Sequence, residues 1–279
     1  MSIKTAKSCI DANECWEEVN LTGIGEPLLH PDLFFESVSY AKSKGIWVLG
    51  VTNATLLHSN DNINRMIDCG IDELIISLDG YDDKSYERIR HGSKYSRVVA
   101  NIKELVKASD RKGLKPYIKI NSCISSDRFE DYAALIDQVQ MLGITSLTLT
   151  TELTDWGTGN KKDYYIQDSS LLKVENIWQQ VFDYAQSKSI DLALVPMHGR
   201  YDYSAGSFCS WPFFKMHISS DLRMVPCCHV GNPDHYELGS IDVLDRDTLK
   251  EAWNSSIYEN FRGLHTSGNL PSICKGCYK

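Results

Sequence analysis

The chain has 279 residues, a formal net charge of −8, and a composition that is 42% hydrophobic and 24% charged, which is typical of an ordinary soluble globular protein. The acidic balance provides no cluster of Lys and Arg for phosphate contacts, so we expect no nucleic-acid partner and no anionic-membrane partner. No apolar run approaches the roughly 20 residues of a membrane span, and the N-terminus has no apolar core of a secretory signal, so we expect a cytoplasmic protein.

From about residue 18 the sequence alternates short apolar runs with longer stretches of helical period that close on glycine. This pattern predicts buried strands alternating with glycine-capped helices, and hence an α/β fold with a parallel sheet, open or closed into a barrel. The predicted strands are EVNLTG (18–23), WVLGVTN (47–53), ELIISLDG (73–80), YIKINS (117–122), SLTLTT (146–151) and, after one more helix, DLALVP (191–196).

Small or polar residues stand at the end of each predicted strand. Because ligands bind at the carboxyl ends of parallel strands, these residues predict a shared polar ligand pocket. The same residue types also suit turns and helix caps, and Glu26 is equally a candidate capping carboxylate. The candidate rim residues are Gly23, Gly25, Glu26, Pro27, Thr52, Asn53, Ser77, Asp79 and Asn121.

The composition changes near residue 200, where the strand–helix rhythm ends and Tyr, Ser, Trp and Cys become frequent. We therefore predict an α/β domain over residues 1–200 and a smaller domain over residues 201–279. Trp156, His198 and Arg200 stand on predicted loops, where only their position suggests contact with a substrate.

Nine cysteines in a reducing compartment are better explained as packing thiols or metal ligands than as disulfides. Cys9, Cys15, Cys69 and Cys123 are scattered, which favours packing. The other five, Cys209, Cys227, Cys228, Cys274 and Cys277, follow the composition change.

The C-x-x-C of Cys274 and Cys277 lets two thiolates reach one metal or cluster. The stretch HISSDLRMVP before Cys227 predicts a β-hairpin that brings Cys209 and Cys227 together. Four thiolates make a complete first shell for Zn²⁺ or for a [4Fe–4S] cluster, and the spacing alone leaves both open.

The stretch LTGIGEPLLHPDL resembles the second-strand motif of the radical S-adenosylmethionine (SAM) superfamily, and IDELIISLDGYDDKSYERIRHGSKYSRVVANIKEL resembles its fourth strand and following helix. The resemblance implies that Gly23, Gly25 and Glu26 meet the SAM amino group. It places Ser77 and Asp79 near the cofactor. Thr52, Asn53 and Asn121 complete the set of residues expected around the ribose and carboxylate of SAM.

Arg88 and Arg90 follow on the next predicted helix, where we expect a solvated helix face in preference to contact with a substrate.

The tail, from CSWPFF through VPCC to ICKGC, is similar to the SPASM or shorter twitch extension that holds auxiliary clusters in that family. The resemblance implies an auxiliary [4Fe–4S] cluster on Cys209, Cys227, Cys274 and Cys277, with Cys228 a neighbour. One cluster, the twitch form, fits a chain that stops two residues after Cys277. Asp221-Leu222 stands where the family has Asp-Gly, so the hairpin turn is made without glycine.

The family's C-x-x-x-C-x-x-C triplet and first strand are missing before Gly23, and Cys9 and Cys15 are too far apart to replace the triplet. The expected fold is therefore a partial (βα)6-type barrel without its first βα unit, plus the SPASM/twitch domain. A second [4Fe–4S] cluster is expected only if the triplet exists. The chain as written would be inactive, and it is either an N-terminally shortened enzyme, which the exposed sheet edge favours, or a paralogue that lost the cleavage site.

The resemblance implies an iron–sulfur oxidoreductase or modifying enzyme that abstracts hydrogen with a 5′-deoxyadenosyl radical. Its expected substrate is a small molecule or a peptide, and its expected electron donor is of the flavodoxin or ferredoxin type. The alternative is a non-catalytic paralogue or partner protein that keeps only the auxiliary cluster.

Overall fold

The computed structural model describes the chain in two compact units. Glu17 and the residues that follow it form a sheet unit, which extends to Val195, and Met1–Trp16 joins the C-terminal residues in a second unit, here called the cysteine unit. The described residues are 1–113, 116–124, 126, 128–150, 175–195, 199–242 and 244–278. Trp156 and His198 lie outside them.

The sheet unit contains six parallel strands in the order in which they follow one another along the chain. All the predicted strands are confirmed, and the α/β fold with a parallel sheet is confirmed with them. The strands are β1 (Glu18–Leu21), β2 (Trp47–Thr52), β3 (Glu73–Ser77), β4 (Tyr117–Ser122), β5 (Ser146–Thr150) and β6 (Asp191–Val195).

Helix α1 (Ile3–Asp11) precedes the sheet, and the helices that connect the strands follow the predicted pattern with one difference. The single helical segment expected after β3 is two helices, because Gly92 adopts a left-handed conformation with φ 79° between them. The connecting helices are α2 (Pro31–Ser43), α3 (Asn62–Asp68), α4 (Asp83–Ile89), α5 (Tyr95–Lys112), α6 (Phe129–Met141) and α7 (Glu175–Ser187).

The two faces of the sheet differ in burial. Alternate residues such as Ile76, Ile120 and Leu147 are fully buried, and a Cβ placed on Gly50, which shares this face, would meet Phe34 of α2. The buried face is therefore the one that packs on the helices. The residues between them are only half buried on β2, β3 and β4, which leaves the opposite face partly open.

The cysteine unit contains the predicted hairpin within an antiparallel sheet of three short strands. At the hairpin turn Leu222 takes a φ of 66°, and the Ser219 hydroxyl accepts a hydrogen bond from the Arg223 backbone N–H at 3.1 Å. The turn is thus held by a side chain in place of glycine. The elements are α8 (Trp211–Phe214), β7 (His217–Ile218), β8 (Arg223–Val225), β9 (Gly239–Ser240), α9 (Arg246–Trp253) and α10 (Ser256–Thr266).

The N-terminal segment completes the core of the cysteine unit. Ala12 is buried together with Met224, Tyr258 and Phe261, and Trp16 packs against the same cluster. The Trp16 indole N–H also donates to the Cys9 carbonyl at 3.3 Å. Residues from the two ends of the chain therefore share one apolar core.

None of the described helices is both long enough and apolar enough to cross a membrane.

We expect Trp16→Ala to lower the free energy of unfolding by about 2 kcal/mol, because the indole leaves a gap in a core that the C-terminal residues build. Phe214→Ala is the matched control, since that ring is 81% exposed, and it should change stability by less than about 0.5 kcal/mol. Urea unfolding of the full chain measures both. Equal effects of the two variants would show that residue 16 is not part of this core.

Candidate cofactor sites

The predicted rim residues all lie in the sheet unit, at or just beyond the carboxyl ends of β1 to β4. Parallel register sets this arrangement: Thr52 pairs with Ile76 across β2 and β3, and Ser77 pairs with Asn121 across β3 and β4. The strand ends therefore share one edge of the sheet, as the sequence predicts.

The loop after β1 leaves room for a ligand. Gly23 and Gly25 are exposed, and a Cβ at either position would meet no atom within 4 Å. Neither glycine adopts a positive φ, so the backbone conformation does not require glycine here. What the two glycines provide is an accessible backbone, which suits close approach by a polar ligand.

Both carboxylate oxygens of Glu26 accept hydrogen bonds from the protein itself. Oε1 accepts from the Thr52 hydroxyl at 2.7 Å and from the Leu28 backbone N–H at 3.2 Å. Oε2 accepts from the Asn53 backbone N–H at 2.8 Å. Glu26 thus caps the 3₁₀ helix Pro27–Leu29 and ties it to the end of β2, which confirms the capping interpretation.

Asn53 and its neighbours shape the turn after β2. The Asn53 side-chain oxygen accepts hydrogen bonds from the Thr55 backbone N–H at 2.9 Å and hydroxyl at 2.6 Å. Ala54 has a φ of 59°, and its carbonyl accepts from the Asn101 amide at 2.8 Å. Asn101 lies inside α5 and was not predicted; a buried amide on an apolar helix face was its only signal.

Asp79 is a buried carboxylate at the end of β3. Its Oδ1 accepts from the Cys123 backbone N–H at 2.6 Å, and its Oδ2 pairs with the Arg90 guanidinium. Asp79 therefore links the loops after β3 and β4. The prediction that Arg90 is merely solvated is wrong, because Arg90 caps the end of α4 and points its charge at Asp79.

The half-buried face of the sheet carries a polar row near its carboxyl edge. Ser77, Asn121 and Thr148 are paired across β3, β4 and β5. The Asn121 side-chain oxygen accepts a hydrogen bond from the Thr150 hydroxyl at 3.1 Å. Hydroxyl and amide groups on a partly open face suit a polar ligand, and Thr148 joins the predicted residues there.

The predicted thiol set lies in the cysteine unit. Cys227 precedes the 3₁₀ helix Cys228–Val230, and Cys274 and Cys277 lie in the 3₁₀ helix Ser272–Cys277. Burial, followed by the charges of Cys227, Cys277 and Cys209, raises the pKa of Cys274 to about 12. The other three thiols of the predicted set therefore lie close enough to act on Cys274.

Burial and then the charges of Cys228 and Cys277 likewise raise the pKa of Cys227 to about 12. Thiolates crowded in this way are unfavourable without a compensating positive charge. Four cysteine thiolates are by chemistry the donor set of a zinc ion or a [4Fe–4S] cluster. Within the described part of the chain, no three His, Cys, Asp or Glu side chains are arranged to hold a metal ion, so the four thiols match such a group by residue type and not by a preformed arrangement.

Residues 199–201 bind the terminal C-x-x-C through the backbone. The Gly199 N–H donates to the Gly276 carbonyl at 3.1 Å, and the Tyr201 N–H donates to the Cys277 carbonyl at 3.0 Å. The Cys209 N–H donates to the Tyr278 hydroxyl at 2.9 Å. These hydrogen bonds hold the end of the chain beside Cys209.

Arg200, expected only on a loop, lies among these thiols. Its Nη2 is 3.9 Å from Cys277 Sγ and contacts the His229 ring nitrogen Nε2. Its charge also acts on Cys228, where burial is the main cause of a raised pKa and Arg200 opposes it. No motif marked Arg200, because its contacts come from residues 28 to 77 positions away.

Two family models match two separate stretches of the chain. Residues 3–122 match the radical SAM superfamily, and residues 209–278 match SPASM, an iron–sulfur cluster-binding domain. A protein of Methanocaldococcus jannaschii, uncharacterized protein MJ0804, is 33% identical over 102 residues, which cover 36% of this chain and 35% of that protein. The chain thus matches only about a third of this relative's length.

Two crystal structures share the fold. SuiB from Streptococcus suis is similar with a TM-score of 0.67 and 18% identity, over 93% of this chain and 61% of SuiB. BtrN in complex with AdoMet and 2-DOIA has a TM-score of 0.53 and 13% identity, over 99% of this chain and 78% of BtrN.

We expect Glu26→Gln to lower the free energy of unfolding by about 1–3 kcal/mol, because an amide cannot accept from the Thr52 hydroxyl, Leu28 N–H and Asn53 N–H without turning its NH₂ group toward a donor. Chemical denaturation measures the change. Glu130→Gln is the control, since that side chain is 72% exposed and pairs with Arg128 at 3.8 Å, and it should be near neutral. A neutral Glu26→Gln would contradict the capping role.

Proposed function

We propose that this chain serves an oxidation or modification reaction that begins with hydrogen abstraction. The proposal is supported by the match of residues 3–122 to the radical SAM superfamily and of residues 209–278 to the iron–sulfur cluster-binding SPASM domain. SAM and [4Fe–4S] clusters are the cofactors of these two domains. In the proposal, the rim of the sheet unit holds SAM and the cysteine unit holds an auxiliary cluster.

The match of residues 209–278 to an iron–sulfur cluster-binding domain is the observation that carries the proposal, because these residues contain Cys209, Cys227, Cys274 and Cys277. These four thiols would ligate the auxiliary [4Fe–4S] cluster, which supplies one-electron chemistry when it is bound. The iron–sulfur match of residues 209–278 favours this cluster over zinc.

The rim fits SAM in part. The open space above Gly23 and Gly25 would admit the methionine end of SAM to the backbone. Ser77 and Asn121 would offer hydroxyl and amide groups from the half-buried face. Glu26, Thr52 and Asp79 would act mainly by fixing the loops, since their side chains already bind the protein.

The residues of this chain do not fit the cluster that cleaves SAM. The sequence contains no C-x-x-x-C-x-x-C triplet, so no cleavage step can be assigned to its side chains. The proposal is that the working enzyme has this triplet and a further strand ahead of β1. Support comes from β1, an edge strand of the described sheet with Glu18 and Asn20 exposed, because natural sheets cover such edges.

The proposed substrate is a peptide or a small molecule. One structure similar to this chain is SuiB bound to the precursor peptide SuiA, and another is BtrN in complex with AdoMet and 2-DOIA. A flavodoxin or ferredoxin is the proposed electron donor, since SAM cleavage needs one external electron.

An anaerobic iron and sulfide count tests the cluster. The reconstituted 279-residue chain should hold about four iron atoms and about four sulfides. A chain extended through the upstream reading frame should hold about eight iron atoms and convert SAM to 5′-deoxyadenosine when a reductant is supplied. A chain that binds zinc but no iron would refute the auxiliary cluster.

The pair Cys227 and Cys228 gives a matched test of the ligand set. Cys227→Ser should lose most of the iron and the absorbance near 400 nm, because one of four thiolates is removed. Cys228→Ser should keep both, because Cys228 is proposed as a neighbour of the cluster. The reverse result would reassign the ligand to Cys228.

A second candidate is a non-catalytic partner that keeps only the auxiliary cluster. It is favoured by Glu26 and Asp79, since both rim carboxylates have structural hydrogen bonds that need no cofactor. An upstream frame without a cysteine triplet, together with about four iron atoms per chain, would support this candidate over the enzyme.

A further inference from the structure

The segment Gly199-Arg200-Tyr201, here called the clamp segment, surrounds the proposed auxiliary cluster with polar groups. Its backbone N–H groups bind the carbonyls of Gly276 and Cys277. Its half-buried Tyr201 ring packs on Tyr278 with the ring centroids 5.3 Å apart, and the Tyr278 hydroxyl accepts from the Cys209 N–H at 2.9 Å. The clamp segment therefore contacts the terminal C-x-x-C directly and lies next to the segment that carries Cys209.

Arg200 is the member of the clamp segment that carries a charge. Its Nη2 reaches Cys277 Sγ at 3.9 Å, within hydrogen-bond range for sulfur. Its Nε is buried and has no hydrogen-bond partner among the described residues. The guanidinium therefore lies beside Cys277, and one of its buried N–H donors has no acceptor among the described residues.

A fixed cation beside an iron–sulfur cluster changes the energy of its two redox states unequally. A [4Fe–4S] cluster with four thiolates is anionic, and accepting an electron makes it more so. The guanidinium stabilises the more negative state more strongly, and an N–H···S hydrogen bond spreads the added charge. Both effects raise the reduction potential.

We propose that Arg200 is a positioning residue that holds Cys277 and raises the reduction potential of the auxiliary cluster. This rests on the proposed function, since it takes Cys277 as a ligand. The reduction is a one-electron step: the oxidised cluster gains an electron from a reductant, and no bond to the guanidinium forms or breaks. Arg200 makes the cluster an easier electron acceptor.

A potentiometric titration followed by electron paramagnetic resonance tests the proposal on the reconstituted full chain. Arg200→Gln should bind as much iron as the wild type and show a lower midpoint potential. Arg246→Gln is the matched control, because that guanidinium is 65% exposed and pairs with Glu14 at 3.6 Å. Its midpoint should equal that of the wild type.

The outcomes separate the two proposals. A wild-type chain that takes up no iron overturns the proposed function, whereas an Arg200→Gln cluster with an unchanged or higher potential overturns only the role of Arg200. If Arg200→Gln takes up no iron, Arg200→Met decides, since methionine fills much of the same space without the charge or the N–H donors. A lowered potential in Arg200→Met then supports the proposal, whereas an unchanged potential, or loss of iron from this variant as well, overturns it.

Discussion

Parallel pairing of six strands is the constraint on which the sheet unit depends, because it brings every strand end to one edge. Loops that leave this edge carry backbone N–H groups that the sheet does not satisfy. Two carboxylates meet that demand: Glu26 accepts from the Asn53 N–H, and Asp79 accepts from the Cys123 N–H. The edge is therefore held together by the same residue types that would otherwise be assigned to a ligand.

Glu26 and Asp79 hold the loops of the rim through these hydrogen bonds. Both carboxylates can therefore position neighbouring groups of the rim without binding a cofactor themselves. What faces outward is the exposed backbone around Gly23 and Gly25 and the polar row of Ser77, Asn121 and Thr148. A polar ligand can therefore be bound by backbone, hydroxyl and amide groups of the rim, while the rim carboxylates bind other groups of the protein.

The sequence predicted the features that depend on neighbours along the chain. Strands and glycine-capped helices follow from local periodicity, and the hairpin follows from an alternation around one turn. The contacts it missed join distant residues: Asn101 binds the Ala54 carbonyl, Trp16 packs against the C-terminal apolar cluster, and Arg200 reaches Cys277. Such contacts leave no period in the sequence, because only the tertiary fold determines which polar side chain meets which backbone group.

The thiolates of the cysteine unit connect its stability to the binding of a cofactor. Burial, followed by the charges of neighbouring thiolates, raises the pKa of Cys227 and of Cys274, so a positive charge nearby favours their thiolate forms. In the proposed function, the cationic core of an iron–sulfur cluster would supply such a charge, and Arg200 would add a fixed one from within the chain. Because the clamp segment and the terminal C-x-x-C share backbone hydrogen bonds, the residue proposed to tune the cluster belongs to the segment that binds the C-x-x-C. Stability of this unit and the electronic properties of its cluster are therefore expected to change together when the clamp segment is altered.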